Sequence, residues 1–143
     1  MSHNGSCLCG AVTYTITSEV KETGACHCAM CRKWSGGVFM SVAVPKDGMK
    51  ITGEDQIGLY PSSPWAERAF CKSCGSSLFY RVTAEGPMQG EAHVGFGTLS
   101  DVSSIPFTGE LFIDLKPAAY SFAGEGRQQM TEAEVIALFS GEA

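Results

Sequence analysis

The chain has 143 residues, 44% of them hydrophobic and 17% charged, and a formal net charge of −5. A chain of this size buries roughly 68–70% of its extended surface, enough for a core without covalent staples. The composition excludes a disordered polymer, and scattered basic residues on an acidic chain argue against a nucleic-acid binder.

No repeat, low-complexity tract or linker divides the sequence, so residues 1–143 read as one domain, and its 17 glycines point to a turn-rich β fold. Residues 1–6 are small and polar and are expected to be mobile. Residues 1–25 hold no apolar run of signal-peptide length. No stretch approaches the ~18 apolar residues of a membrane span. The expectation is a soluble cytoplasmic protein with no membrane partner. Over residues 11–17, Val12, Tyr14 and Ile16 alternate with threonines, which predicts a half-buried strand. Residues 37–44 predict a second strand, ended by Pro45 and the Asp47-Gly48 turn. The segment Pro61 to Pro64 reads as a surface loop. Residues 65–71 and 76–82 read as strands flanking Cys71 and Cys74, and residues 91–96 and 110–115 as two more. One clear helix comes last. Thr131 and Glu134 fit a capping box, and Val135, Leu138 and Phe139 then mark one apolar face. Six or more short strands with a late helix predict a mainly β, antiparallel sheet assembly.

The seven cysteines carry the chemistry. Their odd number, in a chain expected to carry no leader, fits disulfide pairing poorly and points to metal ligation or redox chemistry. They fall into three groups: Cys7 and Cys9; Cys26, Cys28 and Cys31; Cys71 and Cys74. On an extended backbone, i and i+2 share a face, so Cys7 and Cys9 present two sulfurs side by side, as do Cys26 and Cys28. The Cys71-Lys72-Ser73-Cys74-Gly75 turn folds two thiolates onto one point, and Cys28 and Cys31 are spaced for a similar turn. Cys7, Cys9, Cys71 and Cys74 would make a closed, structural zinc site. Cys26, Cys28 and Cys31 would leave a zinc with an open position, as catalytic sites do. Three thiolates on a divalent zinc leave one negative charge, and an incoming thiolate would complete a stable tetrathiolate site.

Alternatives for the middle group are a purely structural zinc, with His27 or water as fourth ligand, and empty or redox-active thiols. His27 lies between two cysteines on an expected strand and so points away from them, as a satisfied core or surface histidine. His93 has the same reading, and His3 lies in the tail. Arg32 and Lys33 beside the middle group could hold carboxylates of a thiol such as glutathione, or form a solvated turn. Trp34 could line a pocket or pack. Arg68, Lys72 and Arg81 read as solvated strand faces.

The blocks GSCLCGAVTY, CHCAMCRKWSG, CKSCGSSLFY and ELFIDLKPAAY together resemble the glutathione-dependent formaldehyde-activating (CENP-V/GFA) family. The resemblance spans roughly residues 5 to 122 and takes in every cysteine in order. It implies a β-tent (Mss4-like) fold with zinc knuckles. It implies one structural zinc on Cys7, Cys9, Cys71 and Cys74, and a second, more labile zinc, linked to glutathione, on Cys26, Cys28 and Cys31. The implied activity is addition of glutathione to formaldehyde, formally a carbon–sulfur lyase in reverse. The expected partners are therefore a small-molecule thiol and an aldehyde. A non-catalytic zinc-binding module of the same fold is the alternative, and a thiol redox enzyme using Cys28 or Cys31 is a third reading.

Overall fold

A computed structural model describes residues 2–140. Among them run β1 (His3–Ser6), β2 (Thr13–Ile16), β3 (Thr23–Cys26), α1 (Ala29–Ser35), β4 (Phe39–Val44), β5 (Met49–Thr52), β6 (Ile57–Ser63), β7 (Ala66–Cys71), β8 (Ser77–Val82), β9 (Ala92–Gly95), β10 (Phe107–Leu111), β11 (Gln128–Met130) and α2 (Glu132–Ser140). The fold is mainly β, with 39% strand against 17% helix. By contacts the chain forms two compact units, one of the residues through Lys21 with Ser41–Ile105, the other of Glu22–Met40 with the residues from Pro106 onward.

In the first unit β1, β2 and β5 pair antiparallel in that order, His3 opposite Ile16 and Tyr14 opposite Ile51. The alternation expected around β2 is present: Val12, Tyr14 and Ile16 are buried. β1 corrects the expectation of a mobile start. Its four residues are paired, and Gly5 also bridges Leu99 and sits where a side chain would press on the Tyr14 ring. Met1 lies outside the described residues. Residues Ser41–Val44 of β4 pair with β9, and β8, β7 and β6 follow, all antiparallel. Val42, Val44, Ala69, Leu78, Phe79, Ala92, Val94, Leu99 and Ile105 fill the core together with the β2 face.

Two expectations fail in this unit. Pro61 and the residues beside it belong to β6, not to a loop. β6 ends the strand order, where proline's missing N–H is tolerated, and the register slips between Tyr60 and Ser63 to pass it. Arg68 is buried at 3% exposure, not solvated. Its guanidinium lies 5.1 Å from the Tyr80 ring centroid, and its Nε donates to Ser62 Oγ at 3.3 Å. Arg81, expected on a solvated face, is only 33% exposed and pairs with Glu67 at 2.7 Å. His93 sits half-buried, 3.3 Å from Glu91 and edge-on to Tyr80.

In the second unit β11, β10 and β3 pair in parallel, not antiparallel as expected. The strand expected at 110–115 begins earlier and stops at Leu111. Phe112 at φ 56 breaks it, and Ile113–Leu115 form a 3-10 turn. An unforeseen helix, α1, starts at Cys28 as N-cap and ends at Gly36, whose φ of 79 lets its N–H reach Arg32 O. Trp34 packs edge-on against Phe39 at 5.1 Å between ring centroids.

The expected capping box of α2 is formed: Glu134 N–H donates to Thr131 Oγ1 at 3.3 Å, and Thr131 N–H to Glu134 Oε1 at 3.1 Å. The apolar face is a correction. Val135 is buried at 2%, but Leu138 and Phe139 are 50% and 55% exposed. The helix is held at its first turn, where Glu132 N–H donates to Asp114 Oδ1, and burial fades beyond it. No described helix is long and apolar enough to cross a membrane.

Candidate metal centres

Cys7, Cys9, Cys71 and Cys74 converge, with all four sulfurs within 4.8 Å of one another. Two glycine-terminated turns bring them together. In the first, Gly10 at φ 81 donates its N–H to Cys7 O; in the second, Gly75 at φ 78 donates to Cys71 O at 2.8 Å. The extended backbone expected for Cys7 and Cys9 is therefore corrected to a turn. Two steps of strand advance the chain about 6.6 Å, whereas the turn brings the two sulfurs to 3.7 Å. Ser76 ties the turns to each other: its hydroxyl accepts Leu8 N–H at 3.0 Å and lies 3.1 Å from Cys74 Sγ.

The donor set fits a tetrahedral ion. Ligand bonds of about 2.3 Å, the value for zinc and sulfur, give a tetrahedron edge of about 3.8 Å. The Cys7–Cys9 and Cys9–Cys71 sulfur separations are 3.7 and 3.8 Å. A disulfide would need about 2.05 Å, and none joins any of the seven cysteines. Two thiolates at this spacing repel by about 4 kcal/mol in an effective dielectric of about 20, so four need a cation among them. The metal-free thiols divide unevenly for that reason. Hydrogen bonds from the Ser76 hydroxyl and backbone hold Cys74 down to about 5. At Cys9 the Ala11 N–H pulls downward, but Cys74 and Cys7 outweigh it and push the thiol up to about 11.

The second cluster lies wholly in the other unit. Cys26, Cys28 and Cys31 also place their sulfurs within 4.8 Å of one another. Cys26 ends β3, Cys28 caps α1, and Cys31 lies in the first turn of α1, its N–H donating to Cys28 Sγ at 3.4 Å. Cys28 and Cys31 push the Cys26 thiol up, and burial adds to this. Among the described residues no fourth His, Cys, Asp or Glu completes the set. This cluster too can hold an ion, with one position left over.

His27 is not that fourth ligand. It is fully buried, and both ring nitrogens are engaged: Nε2 with Glu110 Oε1 at 2.9 Å and Nδ1 with the Tyr120 hydroxyl at 3.0 Å. Glu110 is itself buried and also accepts from Arg127 Nε at 3.2 Å and Gln129 Nε2 at 3.0 Å. Burial alone would raise the Glu110 carboxyl, but the Gln129, His27 and Arg127 donors overcome it and hold the group below the usual glutamate range. Arg127 stacks over Phe107 and Phe122, at 4.8 and 5.9 Å from the ring centroids.

Arg32 and Lys33 lie on α1 beside the cluster. Adjacent helical residues project about 100° apart, so the two do not form one clamp. Arg32 is half-buried and its Nε donates to His27 O at 3.1 Å, while Lys33 is exposed. The structure thus gathers the seven cysteines as four and three and separates the two cations. Sequence reasoning missed Ser76, Glu110, Tyr120, Arg127 and Gln129. Glu110 and Tyr120 stand at the two ends of the block ELFIDLKPAAY, which marked them without giving them a role.

Residues 2–114 match the model of a family described as glutathione-dependent formaldehyde-activating enzyme. A Schizosaccharomyces pombe protein described as an uncharacterized lyase is 32% identical over 124 residues, which cover 86% of this chain and 87% of that protein. A Podospora anserina protein with the provisional name glutathione-dependent formaldehyde-activating enzyme is 35% identical over 88 residues. That match covers 59% of this chain and 41% of its relative, so the chain spans less than half of that longer protein. A crystal structure of a Rhodobacter sphaeroides protein shares the fold, with a TM-score of 0.56 at 22% identity over 73% of this chain and 99% of that one. With its family model matched across both cysteine clusters, the chain belongs to the glutathione-dependent formaldehyde-activating family.

Proposed function

We propose that the chain is a zinc-dependent carbon–sulfur lyase acting on the adduct of a small, formaldehyde-like aldehyde with glutathione or a similar thiol. The observation that carries this reading is the three-thiol cluster with a position left over, since both nitrogens of the neighbouring His27 are taken. In the proposal Cys7, Cys9, Cys71 and Cys74 hold a structural zinc, and Cys26, Cys28 and Cys31 hold the working one. Zinc bound at the three thiols supplies a cation that favours the thiolate form of a fourth, incoming thiol.

The remaining work falls to the chain. Cys26, Cys28 and Cys31 fix where the incoming sulfur sits, which removes much of the entropy cost of bringing thiol and carbonyl together. Arg32, anchored through Nε to His27 O, offers its outer guanidinium edge to a carboxylate of the thiol, and Lys33 offers a second, separate charge. In the forward direction the carbon–sulfur bond forms on the carbonyl carbon and the thiol proton ends on the carbonyl oxygen. The lyase direction reverses both, and no further reactant is consumed. A reducing, cytoplasmic setting belongs to the proposal, because the reading needs seven cysteines without disulfides.

The test loads the protein with zinc, counts the ions per chain, and follows adduct formation from glutathione with a panel of aldehydes. The expected result is two zincs per chain and a rate above the uncatalysed one that disappears in Cys28→Ser. A background rate with both sites filled would sink the proposal and leave the non-catalytic zinc module as the reading.

A further inference from the structure

We propose that His27 is a positioning residue for the three-thiol cluster, clamped by Glu110 on one ring nitrogen and Tyr120 on the other, so that Cys26 and Cys28 are presented to a metal ion in a preset geometry. This rests on the reading of that cluster as a metal site, but it assigns a role to residues that bear no ligand atom.

His27 is held at four points. Its backbone N–H donates to Leu111 O at 3.0 Å, its carbonyl accepts from Arg32 Nε at 3.1 Å, and its two ring nitrogens meet Glu110 and Tyr120 at 2.9 and 3.0 Å. The direction of the Nε2 bond follows from its partner. Glu110 receives N–H donors from Arg127 and Gln129 as well, so it is a carboxylate and His27 Nε2 must carry the proton. Nδ1 meets the Tyr120 hydroxyl, which can donate to it or accept from it. The ring is fixed in place at both nitrogens.

This matters to the cysteines because His27 is the residue between two of them. Cys26 is the last residue of β3, paired with Leu111, and Cys28 is the N-cap of α1. The path of the chain from strand to helix, and so the angle between the two Cβ vectors, turns about His27. A residue without ring partners there would let that joint rotate. Glu110 is well placed to resist rotation, since it sits on β10, the middle strand of the unit, opposite both Ala25 and Gln129. The arrangement resembles in its logic the partners that orient a metal-bound side chain, whose removal typically weakens metal binding 10–100-fold. Here the orienting contact acts on the residue between two ligands.

The experiment uses the full chain with cobalt(II) in place of zinc, because its thiolate charge-transfer and d–d bands report ligand geometry directly. Cobalt is titrated into wild type, His27→Leu, His27→Gln and Tyr120→Phe, with a chelator competing for the metal. Wild type should take up two ions. In His27→Leu the weaker site should lose about 10–100-fold in affinity and its bands should shift, while the tighter four-thiol site keeps its spectrum. His27→Gln, which keeps an N–H for Glu110, should recover most of the affinity. Tyr120→Phe keeps the ring edge-on to Phe122 and removes only the hydroxyl, so it should fold even where His27 variants do not. Its weaker site should show a several-fold loss and a measurable band shift.

Wild-type affinity and bands in Tyr120→Phe and in every folded His27 variant would overturn the inference. Loss of affinity in His27→Gln as deep as in His27→Leu would overturn it also, since packing alone would then account for the effect. The outcome is separable from the proposed activity. A protein that binds two ions with the expected variant pattern yet forms no adduct keeps this inference and loses that function, and an active enzyme indifferent to His27 does the reverse.

Discussion

Replacing Cys71 by serine tests the proposed structural zinc site most directly. Cys71 is fully buried at the end of β7, with its sulfur 3.8 Å from that of Cys9. Serine fits the space, but its hydroxyl keeps its proton at neutral pH and is a poor ligand for a thiophilic ion. A structural zinc contributes about 10–16 kcal/mol of folding free energy in small zinc domains at pH 7. Shared evenly over four ligands, one thiolate carries roughly 3–4 kcal/mol of that. Domains are stable by only about 5–15 kcal/mol in total. For a chain of this length each kcal/mol moves Tm by about 2–4 °C, so Cys71→Ser should melt roughly 6–16 °C lower than wild type. Thermal unfolding followed by circular dichroism, with metal content measured on the same samples, provides the assay. A strong chelator should lower wild type at least as far and should add little to the variant. A Cys71→Ser protein that melts within about 2 °C of wild type would refute the reasoning, because each kcal/mol should be visible on that scale.

Gly53 has φ 86, and a Cβ there would run into the Ala11 carbonyl. Gly53→Ala should therefore cost at least about 1–2 kcal/mol from the left-handed backbone alone, read as a lower urea midpoint. An unchanged midpoint would contradict the clash. Thr131→Ala removes the hydroxyl that accepts Glu134 N–H. It should cost about 1 kcal/mol locally, seen as faster amide exchange at Glu134 and Val135 with both cysteine clusters unaffected. Glu110 has a folded pKa held below its unfolded value of about 4.3. Its contribution is full above that unfolded value and is lost as pH falls through the lower folded one. The stability difference between wild type and Glu110→Gln should accordingly shrink on going from pH 6 to pH 3, and a constant difference across that range would count against an ionised Glu110.

What could be read in the fold followed the length and burial of each element. β2 was legible because Val12, Tyr14 and Ile16 face a core and the threonines between them do not. β1, β3 and β11 were not, because their residues are mostly small or polar and show no alternation, and β5 was missed although Met49 and Ile51 alternate with Lys50 and Thr52. His3-Asn4-Gly5-Ser6 is a strand because β2 and Leu99 pair with it, a fact about partners and not about those four side chains. α1 is seven residues long and capped by a cysteine in place of the usual serine or aspartate, so its start carried no familiar signal. Arg68 misled for another reason. A cation on an alternating strand reads as solvated, but the Tyr80 face and Ser62 supply partners inside.

The cysteine clusters were legible because a ligand's chemistry is written in its own residue type and spacing. The two clusters differ in kind despite that common origin. The four-thiol set satisfies itself, since turns at Gly10 and Gly75, with Ser76 between them, bring every ligand into place locally. The three-thiol set depends on a residue that the strand directs away from the sulfurs. A histidine in that place is buried, and a buried imidazole needs a partner on each nitrogen. The Cys26-His27-Cys28 spacing left open whether that histidine lies in the core or on the surface, and its burial in the fold is what requires two partners elsewhere in the chain. They are Glu110 and Tyr120, 83 and 93 residues onward. Such distant partners leave no trace in local pattern, and the demand for them appears only once His27 is seen to be buried. In the proposed reading the three-thiol cluster is thus a site whose geometry is set from behind, which is the property expected of a centre that must keep its shape while its fourth position is exchanged.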